Sequence, residues 1–392
     1  MFLQSGRLAD GTTINLRLST TIDAIGAHLE PEPGEEIIDL GNRLVLAAFA
    51  EPHAHLDKAF LSERVLNPTG DLMGAVMAMQ ASRALITLDD TIERAERAVR
   101  LLVSNGTTTI RSHADTTLEN QLMSVEALAE VRRRTQDICE LQIVALVSWP
   151  VVGEAGAASR ALLREALAAG ADVVGGAPHL DSDWSEANDV LLGIAAEFGR
   201  DVDLHTDETL DPGACGLADL AERVIATRFP HKVTASHCVS LSMQPEARQF
   251  EVAAQVAQAG ISVVALPQTN LFLHGRDQQH AMPRALTAVK SLRAAGVNVC
   301  AGADNLQDPF NPMGRGDPLE TAALMVMAAH LLPEQALHTV SGAARAAISG
   351  TADEIRPGQR ADLVVIDAET VREAMAFQPG GRLVFHAGRR VA

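Results

Sequence analysis

Two histidines one residue apart, His53 and His55, sit in the run Glu51-Pro52-His53-Ala54-His55-Leu56-Asp57. Three further stretches carry imidazole, carboxyl or amide groups: His205-Thr206-Asp207-Glu208, Ser236-His237 and Asp304-Asn305. Imidazole and carboxylate together suit a borderline transition metal, and a carboxyl group beside such an ion can carry protons. Taken singly, each stretch is weak. A lone buried histidine is more often a hydrogen-bonded structural residue, and a lone aspartate before a helix is more often its cap. Their weight comes from where the chain places them.

The middle of the chain alternates short apolar runs with longer alanine-rich segments of helical periodicity. Eight runs read as strands: 44–57, 107–115, 141–149, 171–179, 201–208, 232–238, 261–267 and 298–304. Amphipathic helices lie between them, for example at 90–104, 119–136, 158–169 and 246–259. Several end in Asn-Gly or Ala-Gly (Asn105-Gly106, Ala169-Gly170, Ala259-Gly260, Ala295-Gly296), the pattern of a glycine C-cap. Eight strand–helix repeats predict a (β/α)8 TIM-like barrel. An open doubly wound sheet is the alternative, but no Gly-rich phosphate loop follows the first strand.

Barrel strands are buried on both faces, so polar residues at their C-terminal ends stand out, and those ends form the face that carries active sites. Six of the 13 histidines fall there: His53, His55, His113, His179, His205 and His237. Residues i and i+2 of a strand point the same way, so His53 and His55 can face one ion. Three imidazoles and one carboxylate at this mouth predict a metal site. Without an ion, so many buried polar groups would be costly.

Both ends of the chain are rich in short strands. Asp10-Gly11 precedes the alternating stretch 12–18, a hairpin signature, and 361–367 and 382–391 read as strands again. Residues 1–43 and 348–392 are therefore expected to form one small β-sandwich domain, with the barrel spanning 44–347. Apolar residues make up 47% and charged residues 21% of the 392, an ordinary globular balance. The net charge of −18 argues against nucleic acid or an anionic membrane as partner. Cys139, Cys215, Cys238 and Cys300 lie far apart, and the N-terminus has no signal-like apolar core, so a cytoplasmic protein is expected. No run reaches the roughly 20 apolar residues that cross a bilayer.

His53-Ala54-His55-Leu56-Asp57, His205-Thr206-Asp207-Glu208, Thr234-Ala235-Ser236-His237 and Asp304-Asn305-Leu306-Gln307-Asp308-Pro309-Phe310 resemble the motifs of bacterial cytosine deaminases, a branch of the amidohydrolase superfamily. The resemblance runs in order along nearly the whole chain and extends to triazine-acting members such as N-isopropylammelide amidohydrolase. It implies that His53, His55, His205 and Asp304 hold one divalent ion, zinc or iron. It also implies that Glu208 shuttles protons and that His237 positions or polarises the hydrolytic water, with Asp304 as a base toward it. Dinuclear members bridge two ions with a carboxylated lysine near the end of strand four. Of the three lysines here, Lys58, Lys232 and Lys290, none lies in 171–179, so one ion per chain is expected.

Departures from the pattern bear on the substrate. Cytosine deaminases carry a glutamine after strand three, whereas this chain has Ser148 followed by Trp149, and serine cannot make the same two-point contact. Asn305 replaces a second aspartate and Phe310 a tryptophan. Ser148, Trp149, His113, Asn305, Phe310 and Gln268 are the expected substrate-binding residues, with Asp115 nearby. The expected partner is a small amino-substituted heterocycle or cyclic amidine rather than cytosine, cleaved at a non-peptide C–N bond by a homo-oligomeric enzyme. Ring opening of a cyclic amide is the alternative, and the missing strand-four lysine weighs against it. A non-catalytic scaffold would be expected to have shed ligands that this chain keeps. The Pro-Cys-x-x-Cys signature of the small zinc deaminases is absent.

Overall fold

The computed structural model describes residues 1–351 and 354–392. Eight parallel strands form the central sheet: Phe49–Ala54, Thr107–Thr116, Glu140–Val147, Val173–Gly176, Asp201–Thr206, Val233–His237, Ser262–Ala265 and Val299–Ala301. They are numbered one to eight below, and each pairs with its sequence neighbour. The sheet meets itself where Ala54 bridges Asp304 in parallel fashion. There the Asp304 amide donates to the His53 carbonyl at 3.0 Å, and the His55 amide donates to the Asp304 carbonyl at 3.3 Å. This is the (β/α)8 barrel that the alternation predicts.

The intervening helices bury one stripe each. In Leu88–Ser104, Ile92, Ala95, Ala98, Val99, Leu102 and Val103 are buried at three- and four-residue spacing. Thr87 caps this helix by accepting from the Asp90 amide, and acidic Asp89 and Asp90 sit in its first turn, where the helix dipole favours them. Helix Glu246–Ala259 ends at Gly260, whose φ of 68° is open to glycine at no steric cost.

Several strands end earlier than the sequence reading places them, strand five at Thr206, strand seven at Ala265 and strand eight at Ala301, and two differences change the topology around the site. The run at 44–57 is two strands. Leu44–Ala47 pairs antiparallel with Leu363–Ile366 in the terminal sheet, whereas Phe49–Ala54 enters the barrel. The switch falls at Ala48, whose amide donates to Asp362, while that of Phe49 donates to Gly106. No turn residue marks it, because the chain changes partner without changing direction. The fourth strand stops at Gly176, and His179 rides on the 3-10 turn Pro178–Leu180, since proline has no amide for the ladder.

The terminal sheet has eight strands from both ends of the chain, running from Phe2–Arg7 to Arg389–Arg390. The Asp10-Gly11 hairpin forms as expected, pairing Phe2–Arg7 with Thr13–Leu18. Leu3, Leu16, Ile22, Val45, Leu363 and Phe385 pack as its own core. A buried two-point ion pair, Arg382 Nη1 and Nη2 to Asp317 at 2.8 and 2.7 Å, ties it to the barrel helices. No helix of the described residues is long and apolar enough to cross a membrane.

Candidate metal centre

Strand one ends on His53 and His55, and strand alternation aims both rings at the same side of the barrel mouth. His205 arrives from strand five, and Asp304 lies just past strand eight. Asp304 Oδ1 is 3.3 Å from His55 Nε2 and 3.6 Å from His53 Nε2. His55 Nε2 and His205 Nε2 approach to 3.2 Å. His53, His55 and Asp304 form one set of potential ligand atoms lying within 4.8 Å of one another, and His53, His205 and His237 form a second.

The donors fit an ion. Both Asp304 oxygens, His53 Nε2 and His237 Nε2 are buried with no hydrogen-bond partner among the described residues. Orphaned buried polar atoms of this kind are rare and costly. Burial, reinforced by neighbouring imidazoles, holds His53 and His205 well below the usual histidine range, so their lone pairs are available at neutral pH. Burial pushes Asp304 the other way, but His55 and His237 outweigh it and keep the carboxyl ionised.

The surroundings set the ring orientations. Ser236 Oγ sits 2.8 Å from His53 Nδ1 and donates to Asp203 Oδ1 at 3.0 Å, so it accepts the Nδ1 proton and leaves the Nε2 lone pair facing the site. Asp203 in turn takes Arg111 Nη1 at 2.8 Å. His53, His113 and Asp203 also lie close enough to share an ion, but Asp203 is already engaged by Ser236 and Arg111, so this third set supports the first. Lys58 Nζ stands 3.0 Å from His55 Nδ1 and 2.7 Å from Asp115 Oδ1. An ammonium can only donate, so were His55 Nε2 to take a metal, this pair would have to release a proton or Lys58 would have to turn away.

Glu208 and His237 complete the mouth. His237 Nδ1 lies 2.9 Å from Asn270 Oδ1 and 3.5 Å from Glu208 Oε1, and its Nε2 is 4.0 Å from Asp304 Oδ2. Burial, with the Asp304 charge adding to it, pushes the Glu208 carboxyl well above the ordinary carboxylate range. His237 (φ 69°) and Asp304 (φ 66°) both adopt the left-handed backbone that non-glycine residues avoid, a strain that clusters at functional sites.

These groups open into a cavity of about 360 Å³, lined by His55, His205, Glu208, His237 and Asp304 at its polar end. Ser148, Trp149, Asn305 and Phe310 line it too. Two residues expected against substrate do not. His113 is fully buried behind His53, its ring centroid 4.0 Å away and its Nε2 3.6 Å from Asp203. The Gln268 amide donates to Thr321 at 2.7 Å, and the cavity lining does not include it. Sequence reasoning missed Lys58 as a wall residue, although it lies three residues past His55, and missed the segment 72–86. Helix Leu72–Ala81 and the turn Arg83–Leu85 supply Leu72, Val76, Met79 and Arg83 to the wall.

A parallel barrel with converging imidazoles and a carboxylate at its C-terminal mouth has the layout of metal-dependent hydrolases. Residues 67–392 match the amidohydrolase family, and the chain belongs to it. The match begins beyond His53 and His55, which makes their convergence with Asp304 an independent structural observation. A pterin deaminase of Rhizobium rhizogenes is 35% identical over 356 residues, 90% of this chain and 81% of that protein. An N-isopropylammelide isopropyl amidohydrolase of a Pseudomonas species is 26% identical, covering 93% and 90%. Among solved structures, 5-methylcytosine deaminase from Klebsiella pneumoniae, liganded with phosphonocytosine, superposes with a TM-score of 0.91 at 30% identity, covering 100% of this chain and 98% of that one. N-isopropylammelide isopropylaminohydrolase from Burkholderia multivorans gives 0.87 at 31%, covering 100% and 97%.

Proposed function

We propose that this protein is a mononuclear metal-dependent deaminase that releases ammonia or an amine from a small amino-substituted nitrogen heterocycle. His53, His55, His205 and Asp304 would hold one zinc or iron ion. The observation that carries this reading is the set of unpartnered, buried ligand atoms meeting at the polar end of a cavity that also presents Glu208 and His237. The names of the relatives support the substrate class, since pterin, 5-methylcytosine and N-isopropylammelide are all amino-substituted ring heterocycles.

When bound, a divalent ion lowers the pKa of its water to about 7 and so supplies hydroxide at neutral pH. Glu208 starts protonated, because burial disfavours its charge, and gives that proton to a ring nitrogen as hydroxide adds to the carbon bearing the amine. Its carboxylate would then take the proton of the new hydroxyl and pass it to the departing amine, which leaves Glu208 ionised, and the proton shed by the next water would return it to the protonated form. His237 donates Nδ1–H to Asn270, which turns its Nε2 lone pair toward Asp304 and lets it accept a hydrogen bond from water. Leu72, Val76, Met79, Ile86 and Met123 give the ring faces an apolar wall that excludes bulk solvent.

The test is a panel of aminopyrimidines, aminotriazines, pterins and cyclic guanidines, assayed for amine release with metal-loaded and chelator-treated protein. Release from at least one ring, abolished by the chelator and restored by about one equivalent of zinc or iron per chain, is the expected result. Two tightly held ions per chain would refute the mononuclear assignment. No release from any ring by fully loaded protein would refute the deaminase assignment.

A further inference from the structure

The cavity wall holds two fixed cations, Lys58 and Arg83, and only one of them is neutralised. Lys58 lies 2.7 Å from Asp115 and 3.7 Å from Asp57. The Arg83 guanidinium has no carboxylate within ion-pair distance among the described residues. Its Nη1 donates to the Ile86 carbonyl at 2.6 Å and its Nη2 to Met123 Sδ at 3.4 Å, while its buried Nε has no partner among the described residues. Thioether sulfur is a weak acceptor, so of the five N–H groups a guanidinium carries, one is well used. The carbonyl contact fixes the side chain, and Arg83 itself is half-buried and lines the cavity, although Ala84 and Leu85 of the same turn are exposed.

The rest of the wall makes this vacancy informative. Asp57, Asp115, Glu119, Glu208 and Asp304 also line the cavity, and the whole chain carries −18. An arginine in such company would ordinarily be paired, and a negatively charged ligand would ordinarily be repelled. A planar fork of unused donors in an acidic cavity suits a small oxyanion, which arginine binds through two parallel hydrogen bonds.

We propose that Arg83 is a specificity-determining residue and that the ring bound in this cavity carries an oxyanion substituent, a carboxylate or a phosphate, which Arg83 receives. This rests on the heterocycle reading above and extends it: the reacting edge of the ring meets Glu208 and His237, and a second edge bears the charge. The apolar stretch of Leu72, Val76 and Met79 on the neighbouring helix then contacts the ring body, while Arg83 selects among rings of similar shape.

Calorimetric titration of the metal-loaded protein with matched pairs tests this: pterin against 6-carboxypterin, cytosine against 5-carboxycytosine, and 6-hydroxymethylpterin against its phosphate. The charged member of at least one pair should bind about tenfold or more tightly than its neutral parent, the size of one charge-assisted contact. Arg83→Met should erase that preference while leaving the affinity for the neutral parent within about twofold. Arg83→Lys, which keeps the charge but not the fork, should retain part of it. Met123→Leu, which removes the sulfur contact and also alters the ring wall, should move both members of a pair together and keep their ratio, and so separates recognition of the charge from local packing. A preference for the phosphate over the carboxylate, still lost in Arg83→Met, supports the proposal and names phosphate as the source. Equal affinity for both members of every pair in the unaltered protein overturns it, as does an Arg83→Met loss that falls equally on both. Amine release, measured alongside, keeps the two readings apart: Arg83-dependent binding without release would sink the deaminase assignment and leave the oxyanion site standing.

Discussion

Replacing Glu208 with glutamine keeps nearly the same volume and hydrogen-bonding reach but removes the one proton the carboxyl can transfer. Positioned acid–base groups contribute about 10²- to 10⁴-fold, or roughly 2.7–5.4 kcal/mol of barrier. The neighbours decide where in that range the loss should fall. His237 Nδ1, 3.5 Å from Glu208, is committed to Asn270 at 2.9 Å, and Lys58 is held by Asp115 at 2.7 Å. Asp304, the remaining nearby carboxyl, is kept ionised by His55 and His237 despite its burial and has no proton to give. With no substitute at hand, Glu208→Gln should lower kcat by about 10³-fold or more. The assay is amine release under saturating substrate, paired with metal content by mass spectrometry and a melting curve. Full metal, an unchanged fold and a rate within tenfold of the unaltered protein would refute the proton-transfer role. Loss of the ion in step with activity would instead make Glu208 a ligand.

Two further changes probe the supports. Ser236→Ala removes the acceptor that fixes the His53 ring at 2.8 Å, so metal affinity should fall about 10- to 100-fold, read by competition with a chromophoric chelator; unchanged affinity would free His53 of that dependence. Asp362 is buried between the terminal sheet and the barrel, with Arg345 at 3.5 Å, Arg360 at 3.3 Å and the Ala387 amide at 2.7 Å. Burial raises its pKa, but His386, Arg345 and the amide outweigh this and hold it below the ordinary value. A depressed folded pKa stabilises above the unfolded value near 4, and that stabilisation fades as pH falls through the folded value. Asp362→Asn should therefore unfold about 3 kcal/mol more easily in urea at pH 7, with the gap closing below about pH 4; a gap independent of pH would show that the charge is not its cause.

The parts legible in the sequence are those that a short period or a fixed position encodes. His53 and His55 share a face because strand residues two apart must, and His205 and His237 stand at strand ends that follow from counting repeats. Contacts that only closure creates leave no such trace. Arg111, deep in strand two, meets Asp203 of strand five and Thr234 of strand six, and no local pattern announces that trio. His113 has the same strand-end position as the candidate ligand histidines, yet the barrel's curvature puts its ring behind His53 and against Asp203. Helix Leu72–Ala81 was invisible for another reason: Leu-Met-Gly-Ala-Val-Met-Ala-Met is apolar with little periodic stripe, and its place over the mouth depends on the cavity beneath it.

The seam of the barrel and the candidate metal centre share three residues. Asp304 closes strand eight onto strand one through backbone bonds to His53 and His55, and its side chain meets the imidazoles of those two residues. To do both it adopts a φ of 66°, which costs a non-glycine residue on the order of 1–3 kcal/mol. The unpartnered carboxylate and imidazoles add a desolvation cost that an ion would offset. Strain in the backbone and unmet charge in the side chains thus fall on one point, and a cation bound there would relieve the second while locking the geometry that imposes the first. That coupling accounts for the otherwise expensive choice of an aspartate at a left-handed position where asparagine or glycine would close the seam more cheaply: neither would bring the negative charge that draws the ion in.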